Sequence, residues 1–340
     1  MIAGSPSSSI WRVAVIALAL AAASLTTHAA ASTRDALQPD LPAVLERASR
    51  WVEVVPVNVD TLESLDVTSK KSLAEVLECC WTLERHGTRP AAMLARARTL
   101  ADETRRAGYH DQADCDSATF HHASMSYLRV AWLLDRLGVD TRVYRDSIRT
   151  MSRRLSQSMA SRGAWQRAML EGYQRYFGLV GAVHRPGPLD SGLVARRLPL
   201  RRFDVDHVYD LTHEVYAVYE SPIGHPAHAF TPADRAYLAA TLPPLLGNAI
   251  ARDDVDLAAE LACAMGYLGM EHEVRWRDAI RWLASRQNAD GSWGTYEEVR
   301  LVRGALVEQM AQLHTTLVAI EAFEQSERSH RTAGAGMGPG

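Results

Sequence analysis

The feature that most restricts how this chain can fold is an alternation: a helix apolar on nearly all sides follows a helix with a single apolar stripe, six times over. Its clearest copy spans 281–322. RWLASRQNADGSWG ends an amphipathic helix at a tight Asp290-Gly291 turn with Trp293 just past it, and QLHTTLVAIEA is an apolar helix opening on His314. Taking one polar or small residue at a comparable place in each apolar helix gives Glu78, Arg129, Gly172, His213, Glu260 and His314, at intervals of 51, 43, 41, 47 and 54 residues. A two-helix unit returning about every 45 residues marks a helical array. Apolar helices covered on both flanks belong inside and striped ones outside, so six units predict an all-α (α/α)6 toroid of helical hairpins. A closed ring buries its ends and needs no capping repeats, and neither terminus looks like one.

Helical spacing predicts outer helices at 41–52, 91–106, 142–159, 233–250 and 272–287, and inner ones at 73–85, 120–137, 165–180, 208–219, 257–268 and 311–323. A short outer helix at 190–197 fills the long connection 182–205, and Pro243-Pro244 should kink or divide the helix around it. The one strand candidate, 52–59, is interrupted by Pro56. The Gly-rich tail 329–340 reads as disordered, which leaves 32–328 as a single domain.

Residues 1–31 read as a secretory signal: Arg12 precedes the apolar run VAVIALALAAASL, and Ala29-Ala30-Ala31 supplies a cleavage site before Ser32. That run has 13 residues, short of the roughly 20 that cross a bilayer. The expected location is secreted or periplasmic, with no transmembrane segment in the mature chain. Removing Arg12 shifts the formal charge only from -3 to -4, and the arginines are spread along helices, so no nucleic-acid partner is expected. Four cysteines are few for an exported chain. Cys79 and Cys80 are adjacent and face different sides of a helix, Cys80 and Cys263 read as packing residues, and Cys115, in the polar run DQADCDS, is expected at the surface, where a bridge to Cys79 or Cys80 stays open.

QNADGSWG resembles the QW motif of the terpenoid cyclases and the related turns of protein prenyltransferase β-subunits and secreted polysaccharide lyases, all built on α/α toroids. The resemblance implies a structural task, in which Asp-Gly makes the turn, Gln287 satisfies backbone groups at a helix end and Trp293 packs over the neighbouring turn. LHTTLVAIEAF is similar to the prenyltransferase segment that places a zinc-binding histidine, which carries over to His314 alone. The remaining zinc ligands of that family have no counterpart. The acidic cluster of class II terpene cyclases is approached only by Asp204-Val205-Asp206-His207, with His where the last acid belongs.

Within a toroid the inner helices point one way, so His122, His213 and His314, each expected in the first two turns, face one rim. Three imidazoles with an open fourth position form a candidate metal set for zinc or another divalent transition ion. The helix dipole favours their neutral, metal-binding form. Asp210, three residues before His213, would orient it or join the ligands. The alternative is that each histidine bonds within its own hairpin. His121, His207, His225 and His228 read as loop and surface residues.

Candidate catalytic residues are His213, Asp210, Glu260 and Tyr216, and candidate substrate-binding residues are Arg129, Tyr127 and Trp293. Glu78 and Glu260, carboxylates on apolar helices, need a partner or a raised pKa. Arg129 either supplies that partner or holds an anionic substrate. Tyr127, Tyr173, Tyr209 and Tyr216 are expected to line the cavity. A leader joined to such a ring points to an exported, metal-assisted lyase or hydrolase acting on a small or polymeric substrate in the central cavity. A terpenoid-cyclase-like enzyme and a non-catalytic ligand- or partner-binding toroid are the alternatives. The leader generates the first prediction: N-terminal sequencing of the protein recovered after export begins at Ser32, and an intact Met1 terminus on that material refutes the cleavage.

Overall fold

A computed structural model of the chain describes residues 40–57, 67–105, 107–110, 112, 115–180, 188–223 and 230–335. The expected leader, His225 and His228 lie outside the described residues. The fold is all-α, and no strand occurs among the described residues. Its helices are α1 (Leu41–Val54), α2 (Val67–Arg85), α3 (Pro90–Glu103), α4 (Ala107–His110), α5 (Ser117–Arg136), α6 (Arg142–Thr150) and α7 (Ser152–Ser158). They continue as α8 (Ala164–Tyr176), α9 (Leu193–Arg196), α10 (Val205–Tyr219), α11 (Pro232–Ala251), α12 (Val255–Tyr267), α13 (Val274–Ser285), α14 (Glu297–Arg303) and α15 (Ala305–Ala335).

Local chemistry sets the starts of these helices. Asp40, Asp116, Asp204, Thr231 and Asp254 each accept a backbone N–H of the first turn, at α1, α5, α10, α11 and α12. Such a cap satisfies donors that the helix itself leaves unpaired.

The apolar helices pack side by side and run parallel. Glu78 and Trp81 of α2 meet Arg129 and Trp132 of α5. Trp132 and Asp135 of α5 meet Tyr173 and Tyr176 of α8, and Trp165 of α8 donates to Asp210 of α10 at 3.2 Å. Tyr209 of α10 donates to Asp256 of α12 at 2.6 Å, while Tyr267 of α12 donates to Glu220, just past α10, at 2.9 Å. Thr315 and Glu321 of α15 meet Asp256 and Cys263 of α12. His314 and Glu324 of α15 meet Glu75 and Arg85 of α2. Contacts that rise together along both partners define a parallel pair. The amphipathic helices lie outside: α1 packs on α2 and α15, α3 on α2, α6 on α5, α9 on α10, and α11 and α13 on α12.

Several boundaries differ from the sequence reading. α1 runs through to Val54, so the strand candidate is helix and then irregular chain up to residue 57. The helix expected at 142–159 divides at Met151 into α6 and α7. α11 continues unbroken through Pro243 and Pro244, because Ala239 and Ala240, whose carbonyls lose their N–H partners, are exposed and can bond to water. α15 starts six residues before the expected 311 and reaches Ala335, so part of the expected tail is helical. Residues 336–340 lie outside the described residues. All four cysteines are free thiols, and Cys115 is buried rather than exposed, its Sγ donating to the Gln112 carbonyl.

The turn at 287–293 joins the two ends of the chain. Gln287 donates to the carbonyls of Gly291 at 2.9 Å and of Val44 in α1 at 3.0 Å, and accepts from Arg47 at 2.9 Å. Trp293 is wholly buried, its indole donating to Leu283 O and its ring packing 5.5 Å from Phe323. Gly291 has a φ of 99°, and a Cβ there would sit 2.3 Å from the Arg47 carbonyl oxygen. A side chain at this point meets backbone that cannot swing aside. Gly291→Ala is therefore expected to destabilise the fold by about 2–4 kcal/mol through backbone strain and loss of the α1 contact. Urea denaturation checks it, and a change below about 0.5 kcal/mol contradicts the role given to this turn.

Candidate functional site

Short spacings place acids and bases on the shared faces of the parallel helices. In α12 the Asp254 cap leaves Asp256 in the first turn and Glu260 four residues on, on the same face. In α2 the same spacing joins Lys71 to Glu75, and in α10 it aligns Tyr209, His213 and, one residue off, Thr212.

These faces meet around His314. Its Nδ1 lies 3.2 Å from Glu75 Oε1, and its Nε2 lies 3.0 Å from Glu260 Oε1 and 3.9 Å from Asp256 Oδ2. Glu260 uses its second oxygen to accept the Thr212 hydroxyl, and that oxygen is 3.8 Å from His213 Nδ1. Asp256 accepts from Tyr209 and from Thr315, each at 2.6 Å, and Lys71 Nζ stands 3.3 Å from Glu75. One buried carboxylate thus lies between two imidazoles from different helices. Glu75 and Glu260 are fully buried, whereas the side chains of His314 and His213 keep 21% and 27% of their surface in contact with solvent. The imidazoles are the reachable part.

Burial would raise Glu75, but Lys71 and the His314 imidazole outweigh it and hold its pKa at about 2. Burial likewise works against Glu260, and His213, His314 and Thr212 bring it below the ordinary carboxylate value. Burial would lower His314, and Lys71 opposes its charge, yet Asp256, Glu260 and Glu75 together lift it to about 10. At neutral pH this is an imidazolium held by three carboxylates, the pairing that buried charge requires.

His213 is positioned differently. Its Nδ1 lies 2.7 Å from the Tyr209 carbonyl, which cannot donate, so Nδ1 carries the proton and Nε2 is left as the acceptor in the neutral ring. Trp165 packs 4.6 Å from this ring and donates to Asp210. Asp210 therefore holds Trp165, and the Tyr209 carbonyl performs the orienting expected of Asp210.

Toward the other end of the same helices lies a second cluster. Glu78 pairs with Arg129, Glu220 accepts from Tyr267, and Glu324 pairs with Arg85 at 2.7 Å and with His86. Burial raises Glu220 to about 7 against the pull of Arg129 and Tyr267. Burial and the neighbouring Glu220 keep Glu321 well above the ordinary range. Carboxylates this close cannot all ionise, so protons stay among them at neutral pH.

The sequence-based candidates separate on this geometry. His213, Glu260 and His314 come together, and Arg129 pairs with Glu78 one turn below Glu75. His122 lies apart, beside His121 at 5.2 Å between ring centres, and burial and then Arg162 lower its pKa. Among the described residues the sets within common ligand reach are Asp256, Glu260 and His314, and Glu78, Glu220 and Glu321; the three-histidine set is not among them. The longer helices explain part of this: His213 and His314 fall in third turns, past the reach of the N-terminal dipole. Tyr216 uses its hydroxyl on the Glu260 carbonyl at 2.8 Å, a helix-to-helix tie. Tyr127 turns outward to His110 and Tyr144 in a buried aromatic group, and Trp293 is sealed in the core. Asp204 and His207 pair at the exposed start of α10, a capping role rather than an acid cluster.

Sequence reasoning did not single out Glu75, Asp256, Glu220 or Glu321 as site residues. A signal was present: acids three or four residues apart on otherwise apolar helices, at 75 and 78, 256 and 260, and 321 and 324. A surface pocket lined by Asp40, Arg47 and Arg281 lies between α1 and α13 and does not adjoin these acids.

Residues 43–322 match a family described as "Domain of unknown function (DUF6895)". No curated protein and no solved structure matches the chain.

The charge pattern sets a pH dependence. His314, raised to about 10 from an ordinary 6.5, contributes stability that is fully present below about pH 6.5 and lost as pH rises through 10. Glu75, lowered to about 2 from 4.5, contributes stability present above about pH 4.5 and lost as pH falls through 2. His314→Gln leaves three carboxylates facing one another and is expected to cost about 3–5 kcal/mol at pH 7. It also flattens the alkaline limb of a stability-against-pH curve from chemical denaturation, and an unchanged limb contradicts the imidazolium assignment.

Proposed function

We propose that this chain, which belongs to the DUF6895 family, is an exported (α/α)6-toroid enzyme of the lyase or hydrolase class whose acid–base centre is His213, Glu260 and His314. The toroid reading is supported by the order of contacts: α2, α5, α8, α10, α12 and α15 each pack on the next, α15 packs on α2, and the amphipathic helices lie outside them. Export rests on the leader in the sequence. The observation that carries the activity is Glu260, wholly buried and set between two partly exposed imidazoles.

In this reading His213 accepts a proton through Nε2, its Nδ1–H fixed on the Tyr209 carbonyl. His314, kept cationic, stabilises negative charge developing on the substrate or donates a proton to the leaving group. Glu260 couples the two and, through Thr212, keeps its own position. Asp256 and Glu75 hold the His314 ring.

The same residues fit a metal. Asp256, Glu260 and His314 offer two carboxylates and an imidazole nitrogen within 4.8 Å of one another, a donor set suited to zinc or another divalent transition ion. Glu75 Oε2 is buried with no hydrogen-bond partner, a spare acceptor at this place. A bound ion would replace the imidazolium proton and supply Lewis-acid polarisation. A terpenoid-cyclase-like reading asks for an apolar, aromatic cavity, and the buried Glu75, Glu78, Glu260 and Glu321 speak against it.

The test is a screen of the purified mature protein on uronic polysaccharides and glycosides, reading new unsaturated absorbance or released reducing ends. Glu260→Gln and His213→Ala are each expected to lower the rate by about 100-fold or more. Elemental analysis separates the two forms: a stoichiometric transition metal that His314→Ala loses favours the metal form, and its absence favours the imidazolium form. An inert wild-type protein, with or without added zinc, leaves the non-catalytic binding toroid as the better reading.

A further inference from the structure

Among the described residues Arg162 is a cation whose hydrogen-bond acceptors are all neutral. It is buried, only 4% exposed, in the short connection between α7 and α8, and no carboxylate among the described residues pairs with it. Its Nη2 donates to the His121 carbonyl at 2.7 Å and to Ser124 Oγ at 3.0 Å, and its Nε reaches Ser158 Oγ at 3.4 Å, all neutral acceptors. Four partly buried arginines do meet carboxylates: Arg129 meets Glu78, Arg85 meets Glu324, Arg145 meets Asp135 and Arg175 meets Glu171. A guanidinium taken out of water without a counter-charge is costly, and a bound oxyanion would lower that cost.

What surrounds Arg162 has the same sign or none. Burial alone lowers it to about 10, and no acid opposes that shift. His121 and His122 stand beside it, held down by burial and then by the Arg162 charge. Arg167 donates to the Arg162 carbonyl at 2.7 Å, and the His121 ring reaches Ser161 at 3.3 Å. Asp116, the N-cap of α5, is engaged by the amides of Ala118 and Thr119 and by the Thr119 hydroxyl.

We infer that Arg162, with His121 and His122, binds an oxyanion carried by the substrate, a carboxylate or a phosphate, at the α5–α8 side of the cavity. This rests on the enzyme reading above, in which α5 and α8 stand opposite α12 and α15 around the ring. The anionic group is anchored there while the chemistry proceeds at Glu260 and His314. Arg162 is a binding residue in this scheme: Nη2 and Nε hold the group in place, Nη1 carries no hydrogen bond to a described residue and is the donor for the oxyanion, and the imidazoles add donors as they take up protons beside the bound charge.

Calorimetry on the full mature protein tests it with two probes, inorganic phosphate and galacturonate, against chloride as the control. The expected result is a dissociation constant of about 1 mM or tighter for at least one probe. Which probe binds identifies the oxyanion. Arg162→Met, checked for folding by circular dichroism, is expected to bind at least tenfold more weakly. Arg162→Lys keeps the charge but not the fork and is expected to weaken binding severalfold, so it serves if the Met variant does not fold. Glu260→Gln is expected to bind both probes as wild type does. No heat and no rise in melting temperature with either probe on the wild-type protein overturns the inference, as does full-strength binding by both Arg162 variants. If Glu260→Gln destroys turnover while neither anion binds, the anion site falls and the enzyme reading stands; if anions bind Arg162 but no turnover is found, the reverse holds.

Discussion

A helix flanked by neighbours on both sides offers a charged side chain no way to water except through the interior it shares with them. This constraint organises the molecule. Four of the six apolar helices, α2, α5, α12 and α15, carry Glu75, Glu78, Asp256, Glu260, Glu321, Glu324, Arg129 and His314, whose partners can lie only on adjacent helices. Because the helices run parallel, partners occur at matching heights, and the charges collect into two levels. The upper level is governed by an imidazolium among carboxylates; the lower is short of cations and retains protons instead.

Hydroxyl groups solve a different problem, holding those heights in register. Tyr216, Tyr209, Thr315 and Tyr267 use their hydroxyls as ties between neighbouring inner helices, while Tyr109, Tyr127 and Tyr144 pack a buried aromatic wall behind α5 with Lys70 4.7 Å over the Tyr109 ring. Tyrosines that look alike in sequence thus divide between holding the shared interior and filling the space behind it. Their direction is decided by which face of the helix meets an outer neighbour.

Much of the fold was legible in the sequence and much of the site was not. The alternation of apolar and striped helices follows from which faces are buried, and a 3.6-residue period carries that directly. The tasks of Gln287, Gly291 and Trp293 were legible too, because a turn depends on residues within a few positions. His314 and Glu75 are 239 residues apart, and no local pattern records that they meet. Pairing between helices distant in sequence depends on their register, which a single sequence does not state. Placing His122 with His213 and His314 assumed equal helix starts, and the early start of α15 removed that assumption. Arg162 escaped notice for a related reason: an arginine in a polar connection looks solvated until its neighbours are known.

The latch formed by Gln287 and Gly291 against α1 bears on how the chain is made. The first described helix completes its packing against α15 and the 287–293 turn, with Val44 and Gln287 separated by 243 residues. α1 therefore lacks these contacts until the turn has emerged from the ribosome, and contacts this far apart in sequence form slowly. Until then its apolar stripe stays uncovered, a surface open to chaperones and to aggregation.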